Sequence, residues 1–339
     1  GTSQGSPKLT VAAATLAATN NSDIVEIIDE GTYAESQILI KANDVTLTHT
    51  ASAVGRPVID ASGLGSTQPI SLKSGGTRTG FTLNGIEIKG SGNDSQELYA
   101  MNNNTSNAVG LTITDCFIYE VAAVADQFLQ ATSGDKALIK QSSFMFVAAN
   151  RDAFALAGGC EFEIENCFLS RSSGGSDRPI IAGLSSQTAS TASFCTFVQT
   201  AGSGIDIIDQ FGKVINCVVT GSGNVNGIDA LDHTFNVVNV VGTAFKNGSN
   251  SSASAGTGET EAAVTFVDGT SAGNTEAVIN NFALAEGSVG IDQGTAFNSI
   301  NIDILGVSRP QGTAFDMGAF ERLEPYFQVV DNSQVFNTK

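Results

Sequence analysis

Leu111-Thr-Ile-Thr-Asp-Cys116-Phe-Ile, Leu138-Ile-Lys-Gln-Ser-Ser143-Phe-Met and Phe162-Glu-Ile-Glu-Asn-Cys167-Phe-Leu are copies of one phrase. Each has an alternating apolar strand, a polar bend, a small residue and a second apolar strand. The phrase returns more loosely as Thr191-Ala-Ser-Phe-Cys195-Thr-Phe, Val214-Ile-Asn-Cys217-Val-Val and Val237-Val-Asn239-Val-Val, and Leu83-Asn-Gly85-Ile-Glu-Ile precedes them all. The small positions 85, 116, 143, 167, 195, 217 and 239 lie 31, 27, 24, 28, 22 and 22 residues apart. Strands recurring at such a period predict a solenoid in which each turn stacks on the last, with loops of unequal length outside. A second series keeps the same beat. Phe128, Phe154, Ile180, Ile205 and Ile228, each in a similar short phrase, are 26, 26, 25 and 23 residues apart.

Composition favours strands and turns over helices. The chain of 339 residues has 37 glycines and only 16 lysines and arginines, and its apolar runs are short and alternating. The good helical stretch is Leu9 to Thr19, which predicts a cap over the open first rung. Net charge is −18. Phosphate recognition needs a basic stripe, so nucleic acid is excluded as a partner, and so is an anionic membrane surface. No run approaches the 18 or so apolar residues of a membrane span.

These features resemble the right-handed parallel β-helix proteins of the pectate-lyase-like class. Val25-Glu-Ile-Ile-Asp-Glu-Gly31-Thr-Tyr33 followed by Val45-Thr-Leu47 is similar to their first rungs, and Asn166-Cys167 and Asn216-Cys217 are similar to their bends. Gly290-Ile-Asp292-Gln-Gly294 and Arg309-Pro-Gln-Gly312-Thr-Ala-Phe-Asp316-Met-Gly318-Ala-Phe-Glu321 resemble the closing motif of secreted bacterial β-helix proteins without assigned activity. The resemblance implies an all-β fold: one right-handed parallel β-helix over residues 24–321. A short arm and capping helix precede it (1–23), and a tail follows (322–339). With a surface rich in Ser, Thr and Asn, the resemblance also implies an extracellular or cell-surface protein. It does not fix function, because one fold hosts many.

Four of the five cysteines, Cys116, Cys167, Cys195 and Cys217, occupy one position of the repeat, with Ser143 taking that position between the first two. A ladder of small, buried, free thiols is the reading. The histidines, His49 and His233, lack the Gly-His-Gly setting of the class's pectin hydrolases, and His233 reads as a solvent-exposed loop residue. Lyases of the class bind Ca²⁺ through carboxylates on one face and abstract a proton with Arg or Lys. The duplicated phrase Gly204-Ile-Asp206-Ile-Ile-Asp209 and Gly227-Ile-Asp229-Ala-Leu-Asp232 recurs after 23 residues, one rung. It predicts that Asp206 and Asp229 stack outward, about 5 Å apart, as like charges that a cation would screen. Ca²⁺ at Asp206 and Asp229 with Arg178 as the base is the lyase form of this expectation. A solvated acidic ladder is the other.

If the cysteines point inward, alternation turns Phe117, Phe144 and Phe168 outward, with Tyr119 and Phe146 beside them. A large external aromatic patch requires a cover: a loop of the chain itself, another subunit or a sugar. Leu129, Ala155 and Ile181 predict a second apolar outer column. The tail segment Tyr326-Phe327-Gln-Val-Val330, with Val329 on the same alternation as Phe327, has the pattern of a strand. Three functions remain open from the sequence. One is a surface protein that self-associates, as a filament or layer subunit, through these aromatic positions together with Tyr326, Phe327 and Val329. The second is a polysaccharide-active enzyme, in its lyase form dependent on Ca²⁺. The third is a carbohydrate-binding adhesin or spike module.

Overall fold

Strand alternation sets the walls of the molecule. In the strand Val45–His49, Val45, Leu47 and His49 are buried and the two threonines between them are half-buried. Gly80–Asn84 and Gly110–Thr114 repeat the pattern with Phe81, Leu83, Leu111 and Ile113 inside. A computed structural model describes residues 10–49, 55–64, 69–71, 80–90, 98–101, 110–119, 129–131, 134–146, 152–156, 159–172, 179–183, 189–200, 202–249, 251–269 and 276–323.

From Gly80–Asn84 onward, each first-face strand ends at one residue in the left-handed region. Gly85, Asp115, Gln141, Asn166, Phe194, Asn216 and Phe235 have φ between 47° and 68°. Asn, Asp and Gly tolerate this conformation best, which explains the polar bend of the repeated phrase. The chain turns sharply there and enters a second strand. After a further connection comes a third. The three strands of successive turns stack in parallel as three faces of a solenoid.

The first face carries Ile24–Ile27, Val45–His49, Gly80–Asn84, Gly110–Thr114, Lys136–Lys140, Glu161–Glu165 and Thr191–Ser193. The second is a ten-stranded sheet from Thr32–Ala34 to Thr260–Glu261. The third includes Leu129–Ala131, Phe154–Leu156, Ile181–Gly183 and Phe245–Lys246. The long strands Ser203–Ile215 and Asn224–Thr234 bend from the third face into the first, so these two faces form one 16-stranded sheet. The result is a parallel β-solenoid, as the repeats predict.

The core lies inside the prism. Phe144, Phe154, Phe162, Phe197 and Phe211 are fully buried, and Phe144 meets Phe154 edge to face at 5.2 Å. All five cysteines are free and buried. Burial pushes the Cys116 thiol up to about 12, so it is an inert hydrophobe here. The helix Val11–Ala17 covers the first rung. Thr10 caps it by accepting from the Ala13 amide at 3.0 Å, and the Glu35 carboxylate accepts from the Val11 and Ala12 amides at 2.6 and 3.1 Å. No helix among the described residues is long and apolar enough to cross a membrane.

Parallel pairing ends at Thr260–Glu261. The segment after it returns along the outside of the second face as a strap. Val278, Ile279, Phe282, Ala319 and Phe320 pack on Phe117, Met145, Phe168 and Val198, while Leu284 and Met317 pack on Val218 and Val237. The bend residues hold the strap. Gln141 donates to the Asp303 carbonyl at 3.4 Å, Asn166 to the Ile302 carbonyl at 2.8 Å, and Asn216 to the Thr295 carbonyl at 2.8 Å.

The register corrects several expectations. Ser143 pairs with Phe117 and Phe168, so these three form the outward column, and Phe144 pairs with Ile118 and Leu169 in the core. Phe146 is also a core residue. Neither Phe144 nor Phe146 points outward, and Ser142 takes the bend position assigned to Ser143. Phe117 and Phe168 do point outward, and the chain's own strap covers them. Tyr119 stacks on Phe117 at 4.8 Å and packs against the same cluster. Leu129 and Ile181 pair with Phe154 and belong to the core, so they make no outer column.

Candidate functional site

The third face turns acidic at its C-terminal rungs. Ile208 pairs with Ile181 on one side and Ile228 on the other, with all three in the core. The next position along each strand faces out. That outer column runs Ala155, Ala182, Asp209, Asp229, Lys246. Asp209, rather than Asp206, is therefore the residue stacked with Asp229. The cause is an irregularity in the pairing of Ser203–Ile215 with Asn224–Thr234: the register shifts between Ser203 and Asp206, and Asp206 pairs with Asn226. Asp206 enters the cluster from the side.

Carboxylate oxygens of Asp206, Asp209 and Asp229 all lie within 4.8 Å of one another. The Lys246 ammonium sits 2.9 Å from each Asp206 oxygen. Asp229 is fully buried and accepts the Gly248 amide at 2.5 Å, from the turn that follows Lys246. Asp209 is half-buried, and its Oδ1 has no hydrogen-bond partner among the described residues. Burial, then the charges of Asp206 and Asp229, push the Asp209 carboxyl up to about 6. Burial also raises Asp206, against the pull of Lys246. The cluster thus contains a carboxyl that changes protonation near neutrality beside a lysine–carboxylate pair. Carboxyls in such surroundings are suited to acid–base chemistry.

The donor set is hard oxygen, the chemistry that calcium prefers. Lys246 offsets one of the three carboxylate charges with its ammonium against Asp206, and the Gly248 amide binds an oxygen of Asp229. A Ca²⁺ ion held by Asp206 and Asp229 would have to displace Lys246. Arg178, the base of the lyase expectation, lies outside the described residues, as do Tyr326, Phe327 and Val329.

Sequence reasoning found Asp206 and Asp229 but missed Asp209 and Lys246. A signal for Asp209 was present. The doublet Ile207-Ile208 breaks strand alternation, and both isoleucines are fully buried. Such a break marks an irregular strand and shifts the outward set. Lys246 carried no comparable signal, since it lies in a short strand of two residues.

His233 corrects the expectation of an exposed loop residue. Its Nδ1 is 2.8 Å from Glu259, its ring stacks on Phe245 at 5.3 Å, and the Glu259 hydrogen bond raises its pKa. Glu259 also accepts from Asn236 at 2.8 Å. This network fastens the turn at 256–259 to the last rungs.

The chain matches no known family model and no curated protein.

Proposed function

We propose that the protein acts on polysaccharide at the third face, with Asp209 as the proton donor. One observation carries this reading: a carboxyl raised to about 6 within 4.8 Å of two other carboxylates, one of them ion-paired to a lysine. A neutral carboxyl can protonate the leaving oxygen of a glycosidic bond, which acetal cleavage requires. As the bond breaks, water adds to the anomeric carbon and gives up a proton, while the Asp206 and Asp229 carboxylates, with one ammonium against them, leave a net negative charge beside the sugar, where positive charge develops in the transition state. The resemblance to the pectate-lyase-like class supports a glycan as substrate, and the net charge of −18 favours a neutral glycan over an acidic one.

The test is release of reducing ends from a panel of neutral glycans and from polygalacturonate. The expected result is reducing ends from a neutral glycan, no ultraviolet-absorbing unsaturated product, and loss of activity in Asp209→Asn. No release from any glycan, or equal rates in Asp209→Asn, would refute it. Ultraviolet-absorbing product lost on chelation would instead support the Ca²⁺-dependent lyase with Arg178.

Self-association is a second reading with its own support at the N-terminal end. The strand Ile24–Ile27 ends its sheet with no outer partner among the described residues. Ile24 in this strand, Ile28 just after it and Leu16 in the capping helix are 71, 57 and 47% exposed. An open strand edge with apolar neighbours is a template for another chain. Light scattering of wild type and Ile24→Lys tests it. A polymer or oligomer that the substitution dissolves supports it, and a monomeric wild type removes it.

A further inference from the structure

We infer that the first face carries a groove that holds an extended, uncharged, hydroxyl-rich glycan running along the solenoid axis. The groove has a volume of about 620 Å³. Its floor is one outward column, Thr82, Thr112, Leu138, Glu163 and Thr191, paired rung to rung and half-buried throughout. Successive rungs of a parallel sheet are about 4.8 Å apart. The floor therefore presents hydrogen-bonding side chains at a spacing close to the rise of one sugar unit in an extended chain. Leu138 interrupts them with an apolar patch suited to the C–H face of a sugar ring.

The rim explains the choice of ligand. Gly80 and Gly110 have no side chains of their own at one edge, where the Asp44 carboxylate fills the space over Gly80, and next to them Lys136 and Glu161 neutralise each other in an ion pair at 2.5 Å. The remaining charged residues of the lining, Asp44 and Glu163, are acidic. Burial and a hydrogen bond that the protonated Glu163 carboxyl donates to Glu165 raise the Glu163 pKa, and Asn298 donates to Glu163 at 3.4 Å. An anionic glycan finds no surplus cation here. A protein partner finds too little apolar surface. A neutral polyol chain meets hydroxyls, a carboxyl and one apolar contact. This surface is separate from the third-face carboxylates and draws on the glycan reading only for its ligand class.

Native affinity electrophoresis tests it, with hydroxyethylcellulose, mixed-linkage β-glucan or polygalacturonate cast in the gel. The wild type is expected to be retarded by a neutral glycan and not by polygalacturonate. The double variant Thr82→Val/Thr112→Val keeps strand shape and removes two hydroxyls, and should weaken retardation by about fivefold. Asp209→Asn should be retarded as strongly as wild type even where its activity is lost, which separates the groove from the proposed reacting centre. Circular dichroism confirms that each variant is folded. The inference is overturned by a wild type that no neutral glycan retards, by undiminished retardation of the double variant, by stronger retardation in polygalacturonate, or by loss of retardation in Asp209→Asn.

Discussion

Single residues decide where each turn of this solenoid bends and what its bends hold. Asn216 shows both roles. Its φ of 56° suits Asn, and its side chain brackets Thr295, donating to the carbonyl at 2.8 Å and accepting the amide at 2.9 Å. Asn216→Gly keeps the conformation and loses both bonds, which should cost about 1–3 kcal/mol. Asn216→Ala adds left-handed strain and should cost about 1 kcal/mol more. Urea unfolding of both variants checks this, and equal stability to wild type would contradict it. Asp209 gives a pH prediction. Its folded pKa of about 6 lies above the ordinary 3.8, so folding favours the neutral form. Its contribution is present in full below the unfolded value and is lost as pH rises through about 6. Thermal melts should therefore show Asp209→Asn gaining on wild type between pH 4 and 7, and a constant difference would contradict the assignment. The bends were legible because Asn and Asp at a fixed period announce them. The exact register was less so. Gln141-Ser-Ser143 offers two adjacent small residues, and only three-dimensional pairing shows that Ser142 takes the bend and Ser143 faces out beneath the strap.

At the scale of elements, the strap is the feature that sequence patterning did not place. Its residues were recognisable as a closing motif, and the outward Phe117 and Phe168 were recognisable as needing a cover. Periodicity along a chain carries no information about which distant segment lies over which face, so the two were not joined. The structure joins them: Phe168 meets Phe282 at 4.8 Å and Phe320 at 6.3 Å. A polar knot locks the strap. Arg309, fully buried, donates to the carbonyls of Asp316 and Gly318 at 3.0 and 2.9 Å, pairs with Glu321 at 3.3 Å, and lies 4.7 Å over the Phe194 ring. Arg309→Met leaves Glu321 buried without its counter-charge and should cost about 3–5 kcal/mol. Arg309→Met/Glu321→Leu should recover part of that loss. No recovery in the double variant would mean that the bonds from Arg309 to the two carbonyls, and not the ion pair, hold the knot. In the solenoid wall, Phe154→Ala removes a ring that meets both Phe144 and Phe146 and should cost about 3–5 kcal/mol, a value read from the denaturant midpoint.

For the whole molecule, the three stacked faces differ in what they present. The second face is closed by the strap. The first face presents the polar groove, and the third carries the carboxylates. Stacking makes this division economical, because one outward position repeated on every rung becomes a column, and a change of residue partway along converts an apolar column into an acidic one. Ala155 and Ala182 give way to Asp209 and Asp229 in this manner. Burial beside Asp206 and Asp229 leaves the third face with one carboxyl, Asp209, raised to about 6. The direct measurement is a carbon-13 NMR pH titration of the aspartate carboxyls, in wild type and in Asp209→Asn. One resonance with a midpoint near 6 is expected in wild type and is missing from the variant. Aspartate midpoints all below about 4.5, within the ordinary carboxylate range, or a resonance near 6 that persists in Asp209→Asn, would contradict it.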